Sequence, residues 1–176
     1  MDIRNSVKTL ERLNGCRVVE GYVQILLMDI LEEDEAYLKN LSFPDLREIT
    51  GYLLLYRVQG LRTLRNLFPN LAVIRGHTLF FNYALVIYEM RHLQEIGLVS
   101  LTHILRGSVR IEKNPLLCYV DTVDWDLIAQ AGKEERFIAV SAAVATKFDR
   151  PHHMTRFVVI TQLCVPPRRV ILCLHT

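Results

Sequence analysis

Hydrophobic and polar positions along the chain follow a repeat that ends on a glycine. Residues 43–51 and 68–76 share the pattern F-P-x-L-x-x-I-x-G, and looser copies end at Gly21 and Gly107. The four repeat glycines fall 30, 25 and 31 residues apart. A period of roughly 20–50 residues is typical of solenoids, in which each repeat forms one coil and neighbouring coils stack.

Positions after the repeat glycines alternate between aliphatic and variable side chains. After three of the glycines the second and fourth residues are aliphatic, whereas the third and fifth vary. This alternation predicts a strand with one buried and one exposed face, and stacked coils bring such strands into a parallel sheet. The buried pairs predicted in this way are Val23 and Ile25, Leu53 and Leu55, and Val109 and Ile111.

The copy that follows Gly76 carries one extra residue, which we interpret as a bulge. Alternation would then turn Leu79 and Phe81 inward. The predicted outward positions mix apolar and polar side chains, with Leu26, Leu54, Tyr56 and Phe80 beside Gln24, Asn82, Arg110 and Glu112. An apolar patch with a polar rim favours a partner surface, and the alternative is cover by a loop or a later domain.

Short helical patterns flank the repeat and complete a mostly β fold. Ser6 can cap a first helix that ends before Gly15. Asp121 or Thr122 can cap a second helix around Trp125. The acidic run at residues 32–35 indicates a solvated loop between coils.

Composition is that of one folded domain and excludes several classes of protein. The chain has 176 residues, of which 51% are hydrophobic and 23% charged. The net charge is +2 without a basic block, so no nucleic-acid partner is indicated. No apolar run reaches the roughly 18 residues of a membrane-spanning helix, so direct membrane insertion is not expected. The N-terminus lacks the apolar core of a signal peptide.

Motifs for catalysis or metal binding are absent from the sequence. It contains no nucleophile elbow, phosphate-binding P-loop, zinc-protease motif or dinucleotide fingerprint. Residues 152–153 are both histidine, but with Cys164 and Cys173 they match no zinc-finger spacing. We therefore expect no catalytic residues, no metal and no cofactor. Asn40 begins a glycosylation sequon, which has meaning only in a secreted chain.

Four long motifs in the repeat region are specific enough to indicate a family. They read M-D-I-R-N at 1–5, Q-I-L-L-M at 24–28, F-F-N-Y-A-L-V-I-Y-E-M at 80–90 and R-G-S-V-R-I-E-K-N at 106–114. The chain resembles, over about residues 1–138, the first L domain of insulin and insulin-like growth factor receptors. The resemblance implies a right-handed parallel β-helix solenoid of the leucine-rich-repeat-like L-domain type at residues 1–139.

The resemblance also implies a binding surface, because one sheet face of that L domain binds hormone in the family. The matching positions are Asp2, Arg4, Asn5, Gln24, Leu26, Leu27, Leu54, Tyr56, Phe80, Phe81, Asn82, Tyr83, Tyr88, Glu89, Arg110, Glu112 and Lys113. Tyr56 and Tyr88 stand where an insulin receptor has phenylalanine. Asp29 replaces a further aromatic residue and the next loop is longer, which indicates a divergent or invertebrate-type receptor and leaves the hormone unidentified.

The partners implied by the resemblance are those of a receptor ectodomain. They are an insulin-like peptide, the C-terminal helix of the receptor α-subunit, the remaining ectodomain and its dimer mate. The location implied is the extracellular face of the plasma membrane, or secretion. Because no kinase motif occurs in this sequence, we expect a non-catalytic fragment of a receptor tyrosine kinase.

Cysteines and the C-terminal tail depart from the family pattern. Relatives pair the residue at Cys16 with an upstream cysteine and the residue at Cys118 with a downstream one. Cys164 or Cys173 is an alternative partner for Cys118. No family motif continues through residues 140–176, which we expect to be a divergent and poorly ordered tail. The alternative function is therefore a truncated or mis-spliced solenoid that binds nothing and has a structural or decoy role.

Overall fold

Strands dominate the computed structural model, which describes residues 1–4, 6–28 and 32–139. The strands are β1 (Asp2–Arg4), β2 (Val18–Val19), β3 (Val23–Met28), β4 (Glu48–Ile49), β5 (Leu53–Val58), β6 (Val73–Ile74), β7 (Tyr83–Tyr88), β8 (His103–Ile104), β9 (Ser108–Glu112) and β10 (Phe137–Ile138). The expectations for Asn5, for Asp29 and for the tail at 140–176 lie outside the described residues.

Two parallel sheets share these strands. The order β1-β3-β5-β7-β9-β10 forms a six-stranded sheet, and β2-β4-β6-β8 forms a four-stranded sheet. From β2 to β9 the chain alternates between the two sheets, so each repeat contributes one strand to each. The predicted parallel sheet and the mostly β fold are confirmed.

Aliphatic side chains of both sheets meet in a continuous core. The six inward residues predicted from alternation are all at most 1% exposed, namely Val23, Ile25, Leu53, Leu55, Val109 and Ile111. The repeat phenylalanines Phe43 and Phe68 lie against each other, with ring centroids 6.1 Å apart. Equivalent positions of successive repeats therefore stack, as the period predicts.

The first helix spans the residues that the pattern predicts and ends before Gly15, but the Ser6 cap, the acidic loop and the unbroken second helix are wrong. Val7–Leu13 is a 3-10 helix, and the side chain of Ser6 makes no capping hydrogen bond to it. The acidic run predicted as a loop instead begins α1 (Glu32–Asn40). The second helical region is broken into a 3-10 turn at Val120–Thr122, α2 (Trp125–Ile128) and a 3-10 helix at Gln130–Glu135.

The cap of α2 is Asp124, and not Asp121 or Thr122 as predicted. Its carboxylate accepts a hydrogen bond from the backbone N–H of Leu127, at 3.0 Å. Asp121 and Thr122 lie inside the preceding 3-10 turn, so neither can cap the helix. A carboxylate three residues before the N–H that it accepts is the ordinary geometry of an N-cap.

The third repeat has a longer connection than the single extra residue predicted. Strand β7 begins at Tyr83, and Leu85 pairs in register with Leu53. The preceding turn closes through two backbone hydrogen bonds of 2.9 Å between Phe80 and Tyr83. The inward placement of Phe81 is therefore wrong, since this residue lies in the turn with 82% of its surface exposed. Leu79 also precedes the strand, but its partly buried side chain packs against the main core, in agreement with its predicted inward placement.

Two of the repeat glycines, Gly51 and Gly76, lie against the backbone of a neighbouring coil. Gly76 has a φ of +70°, and a Cβ there would overlap the backbone carbonyl of Arg106 in the next coil. Only glycine has both the backbone freedom and the missing side chain that this contact requires. At these two positions, the absence of a side chain allows neighbouring coils to pack closely.

Candidate functional site

The outward side chains of the six-stranded sheet form two rows, because residues two apart share one face and the strands pair in register. The first row is Asp2, Gln24, Leu54, Val86, Arg110 and Phe137, and the second is Arg4, Leu26, Tyr56, Tyr88 and Glu112. We call these rows, with Phe80, Phe81 and Tyr83 at their side, the outer face. Nine of the residues expected at the site thus lie in the two rows.

The centre of the outer face is an apolar cluster separate from the main core. Leu26, Leu54, Val86 and Tyr52 are each at most 7% exposed, and Tyr56, Phe80, Tyr83 and Tyr88 pack around them. Phe80, in the turn before β7, thus covers part of this apolar cluster, in line with the alternative that a loop covers the outward apolar patch. A groove of about 530 Å³ nevertheless remains above the cluster, and its lining includes Arg4, Gln24 and Phe81.

Aromatic rings form a connected chain along one side of this groove. Tyr22 stacks on Tyr52 with ring centroids 4.9 Å apart, and Tyr52 lies 5.9 Å from Phe80. Phe80 in turn meets Phe81 edge-to-face at 5.0 Å. The chain of rings ends in the side chain of Phe81, which projects from the surface and is free to contact a partner.

Arg110 places a positive charge among the aromatic rings of the face. Its guanidinium carbon lies 5.6 Å from the ring of Tyr83, 5.8 Å from Tyr88 and 5.5 Å from Phe137. Its Nη2 also donates to the carboxylate of Glu112 at 2.7 Å. This hydrogen bond raises the pKa of Arg110 above its ordinary value, so the group stays charged. Cation–π contacts of this kind fix the guanidinium in place.

A charged edge borders the second row, one residue beyond it in each of four coils. Leu27, Arg57, Glu89 and Lys113 occupy these positions, and all have a positive φ between 50° and 58°. This left-handed conformation is uncommon outside glycine. Arg57 donates to Glu89 at 2.5 Å, and Lys113 Nζ lies 3.8 Å from the same carboxylate. The hydrogen bond from Arg57 holds the pKa of Glu89 below its ordinary value.

Other predicted positions lie away from the two rows. Asn82 is exposed in the turn before β7, and its carbonyl accepts from the N–H of Ser108 at 2.8 Å. Asn40 is exposed at the end of α1. Cys16 is a free thiol. The possible partners of Cys118 within the chain, Cys164 and Cys173, lie outside the described residues, so the pairing of Cys118 stays a prediction.

Four residues of the site were missed by the sequence reasoning. Val86 pairs with Leu54 and points to the same side of the sheet, but the sequence pattern places the strand of this repeat too early in the chain to include Val86. Phe137 follows no repeat glycine, and Tyr52 precedes the alternating positions. Alternation along β5 predicts that Arg57 points inward. It borders the outer face because its backbone is left-handed, a conformation that the sequence does not predict at a residue other than glycine.

Metal-binding clusters and membrane-spanning helices are both absent from the described ranges, 1–4, 6–28 and 32–139. No group of three or more potential metal-binding side chains occurs there. No helix in the same ranges has the length and apolarity to cross a bilayer. The outer face combines an apolar centre, aromatic side chains and charged edges, a composition typical of binding surfaces.

Comparison with known proteins assigns the chain to a family. The model of the family described as "Receptor L domain" matches residues 15–129. The chain belongs to the receptor L domain family. It is 62% identical over 138 residues to an insulin-like peptide receptor of Branchiostoma lanceolatum, which covers 78% of this chain and 10% of that protein.

Further relatives place this L domain in the insulin-receptor branch. An insulin-like growth factor 1 receptor of Xenopus laevis is 60% identical over 131 residues, 74% of this chain and 10% of that protein. A putative molluscan insulin-related peptide receptor of Lymnaea stagnalis is 52% identical over 136 residues, 77% of this chain and 8% of that protein. The resemblance inferred from the motifs is confirmed. The chain spans about a tenth of the length of these curated relatives.

Proposed function

We propose that the outer face of this L domain binds an insulin-like peptide hormone as part of a receptor ectodomain. The observation that carries the proposal is the open groove above Leu26, Leu54 and Val86, bordered by the projecting ring of Phe81. An apolar groove with aromatic and arginine side chains has the composition of an interface centre, where a few such anchors supply most of the binding energy.

The charges around the groove favour a specific orientation of the partner. Three ion pairs border the apolar centre, namely Arg4 with Asp2, Arg57 with Glu89 and Arg110 with Glu112. Each arginine side chain in these pairs remains at least 38% exposed, so it stays within reach of a partner. Charges at the edge of an interface mainly set partner choice and association rate, and add less to affinity than the buried anchors.

The open, apolar character of the groove supports an amphipathic helix as its occupant. Helix-in-groove recognition places apolar residues of one helical face into a hydrophobic channel. We assign that helix to the C-terminal segment of the receptor α-subunit, and the hormone to the combined surface of helix and charged edge. The chain alone lacks half of these contacts, and its binding of hormone is therefore weak.

The proposed function implies a topology for the domain and a location for the whole protein. We infer that residues 1–139 are the L domain, with the topology of a right-handed parallel β-helix, whereas the sequence of residues 140–176 carries no family motif. The domain is a non-catalytic, extracellular part of a receptor tyrosine kinase, where the remaining ectodomain and the dimer mate complete the hormone site. The coil-by-coil alternation between two parallel sheets supports the β-helix.

Titration of the purified chain with an insulin-like peptide tests the proposal. The measurement is made with and without a synthetic peptide that reproduces the C-terminal helix of a receptor α-subunit. We expect binding that depends on the helix and is lost in Phe80→Ala, whose ring packs on the apolar cluster. The matched control is Leu127→Ala, since Leu127 is an apolar residue of α2, outside the outer face, with 64% of its surface exposed.

Two outcomes would contradict the hormone site. A folded chain that binds neither peptide would favour the non-binding product instead. Equal loss of binding in Phe80→Ala and Leu127→Ala would show that the outer face has no special role.

A further inference from the structure

The sequon at the end of α1 is a motif that the binding face does not use. Asn40-Leu41-Ser42 is the only Asn-x-Ser/Thr triplet in the sequence, and its middle residue is not proline. This triplet is the acceptor for N-linked glycosylation, which requires an accessible segment of a secreted or cell-surface protein.

The backbone around the sequon presents both of its polar side chains to solvent. Exposure alternates along four residues, because Leu41 and Phe43 are buried at 9% and 2% while Asn40 and Ser42 are exposed. The two buried side chains anchor the segment in the core from one side. The amide and the hydroxyl that the modification needs are therefore on the accessible side.

The existing contact of Asn40 does not block the modification. Its Nδ2 donates a hydrogen bond to the carbonyl of Ala36, one turn earlier in α1, at 3.2 Å. An amide nitrogen that carries a sugar keeps one hydrogen, so this bond can persist after modification. Water can replace a surface hydrogen bond of this kind at little cost, so its loss would not prevent modification either.

The position of α1 keeps the sequon outside the binding groove. Leu38 anchors the helix in the main core at 6% exposure, and Tyr37 donates a hydrogen bond to Glu11 of the first 3-10 helix. Neither Asn40 nor Ser42 lines the groove of the outer face. A sugar chain at Asn40 therefore starts from an anchored helix end that does not line the groove.

We propose that Asn40 carries an N-linked glycan, which rests on the proposed function because only an extracellular chain meets the modifying enzyme. The donor is a lipid-linked oligosaccharide with a diphosphate leaving group. A bond forms between Nδ2 of Asn40 and the anomeric carbon of the first sugar, while the bond from that carbon to the diphosphate oxygen breaks. The amide nitrogen loses one proton, and the lipid diphosphate leaves.

Expression of the whole chain behind a secretion leader in eukaryotic cells tests this site. Mobility on a denaturing gel is compared before and after digestion with peptide N-glycosidase, in the medium and in the cell lysate. The lysate includes chains that enter the secretory pathway but are retained, so poor folding does not hide the result. We expect a mobility shift in the unmodified sequence and in Ser42→Thr, and none in Asn40→Gln or Ser42→Ala.

The outcomes separate the glycan from the hormone site. Leader-cleaved chain without a mobility shift, or a shift that persists in Asn40→Gln, would overturn the proposal. Binding of hormone plus helix is expected to be unchanged in Asn40→Gln, since the residue is outside the groove. A glycan on a chain that binds no hormone would leave this proposal standing and count against the binding function alone.

Discussion

Replacement of Phe81 by alanine separates binding from folding. The ring is 82% exposed, so of the roughly 200 Å² of a phenylalanine side chain about 160 Å² is available to a partner. If a partner covers half of that area, about 25 cal/mol per Å² gives a loss of about 2 kcal/mol in binding. This corresponds to a roughly 30-fold increase in Kd. The free energy of unfolding should change by less than about 0.5 kcal/mol, because the side chain is outside the core.

The assay combines two measurements on the same preparations. Urea unfolding gives the stability of Phe81→Ala, and titration with helix peptide plus hormone gives its Kd. The control is Leu127→Ala, a second exposed apolar residue outside the outer face, which should alter neither quantity. An unchanged Kd in a folded Phe81→Ala chain would refute the reasoning that the projecting ring contacts the partner.

Three further predictions concern stability. Asn114→Leu should lower the free energy of unfolding by about 2–5 kcal/mol, because the buried amide accepts from the N–H of Met90 at 2.9 Å and donates to the carbonyl of Ile87 at 3.0 Å. A loss below about 1 kcal/mol, measured by urea unfolding, would contradict this. Gly76→Ala should lower Tm, since a Cβ overlaps the carbonyl of Arg106 and φ is +70°, and an unchanged Tm would show that the coils can separate there. The hydrogen bond from Arg75 lowers the pKa of Glu48 below its ordinary value of 4.5. The ion pair therefore stabilises the folded chain fully above pH 4.5, and this stabilisation is lost as the pH falls through the lowered pKa. Urea midpoints measured against pH should therefore fall less on acidification in Arg75→Gln; equal slopes would contradict the assignment.

The parts of the fold that follow from local pattern were predictable from sequence. Wherever a repeat glycine is followed directly by its strand, alternation placed the core residues correctly, as for Ile25, Leu55 and Ile111. The same alternation identified the outward neighbours Leu54 and Arg110, which pair through Val86 in the sheet. Period and parity are local properties, so they need no knowledge of long-range contacts.

The remaining features depend on contacts that local pattern does not encode. The length of the turn before β7 is set by pairing between Leu85 and Leu53, residues of different repeats, so Phe81 was assigned to the wrong side. Arg57 joins the site through a left-handed backbone and an ion pair to Glu89, 32 residues away. Phe137 reaches the face because β10 extends the sheet beyond the last repeat glycine.

Photo-crosslinking from the outer face tests the central claim most directly. A benzophenone amino acid is introduced at Phe81, or as a control at Leu105, an apolar residue 49% exposed beside β8 of the other sheet. Each protein is irradiated with hormone and helix peptide together. The outer-face account predicts that position 81 crosslinks to one of the two peptides while position 105 does not. Crosslinking from position 105 alone would place the partner on the opposite sheet and contradict the account.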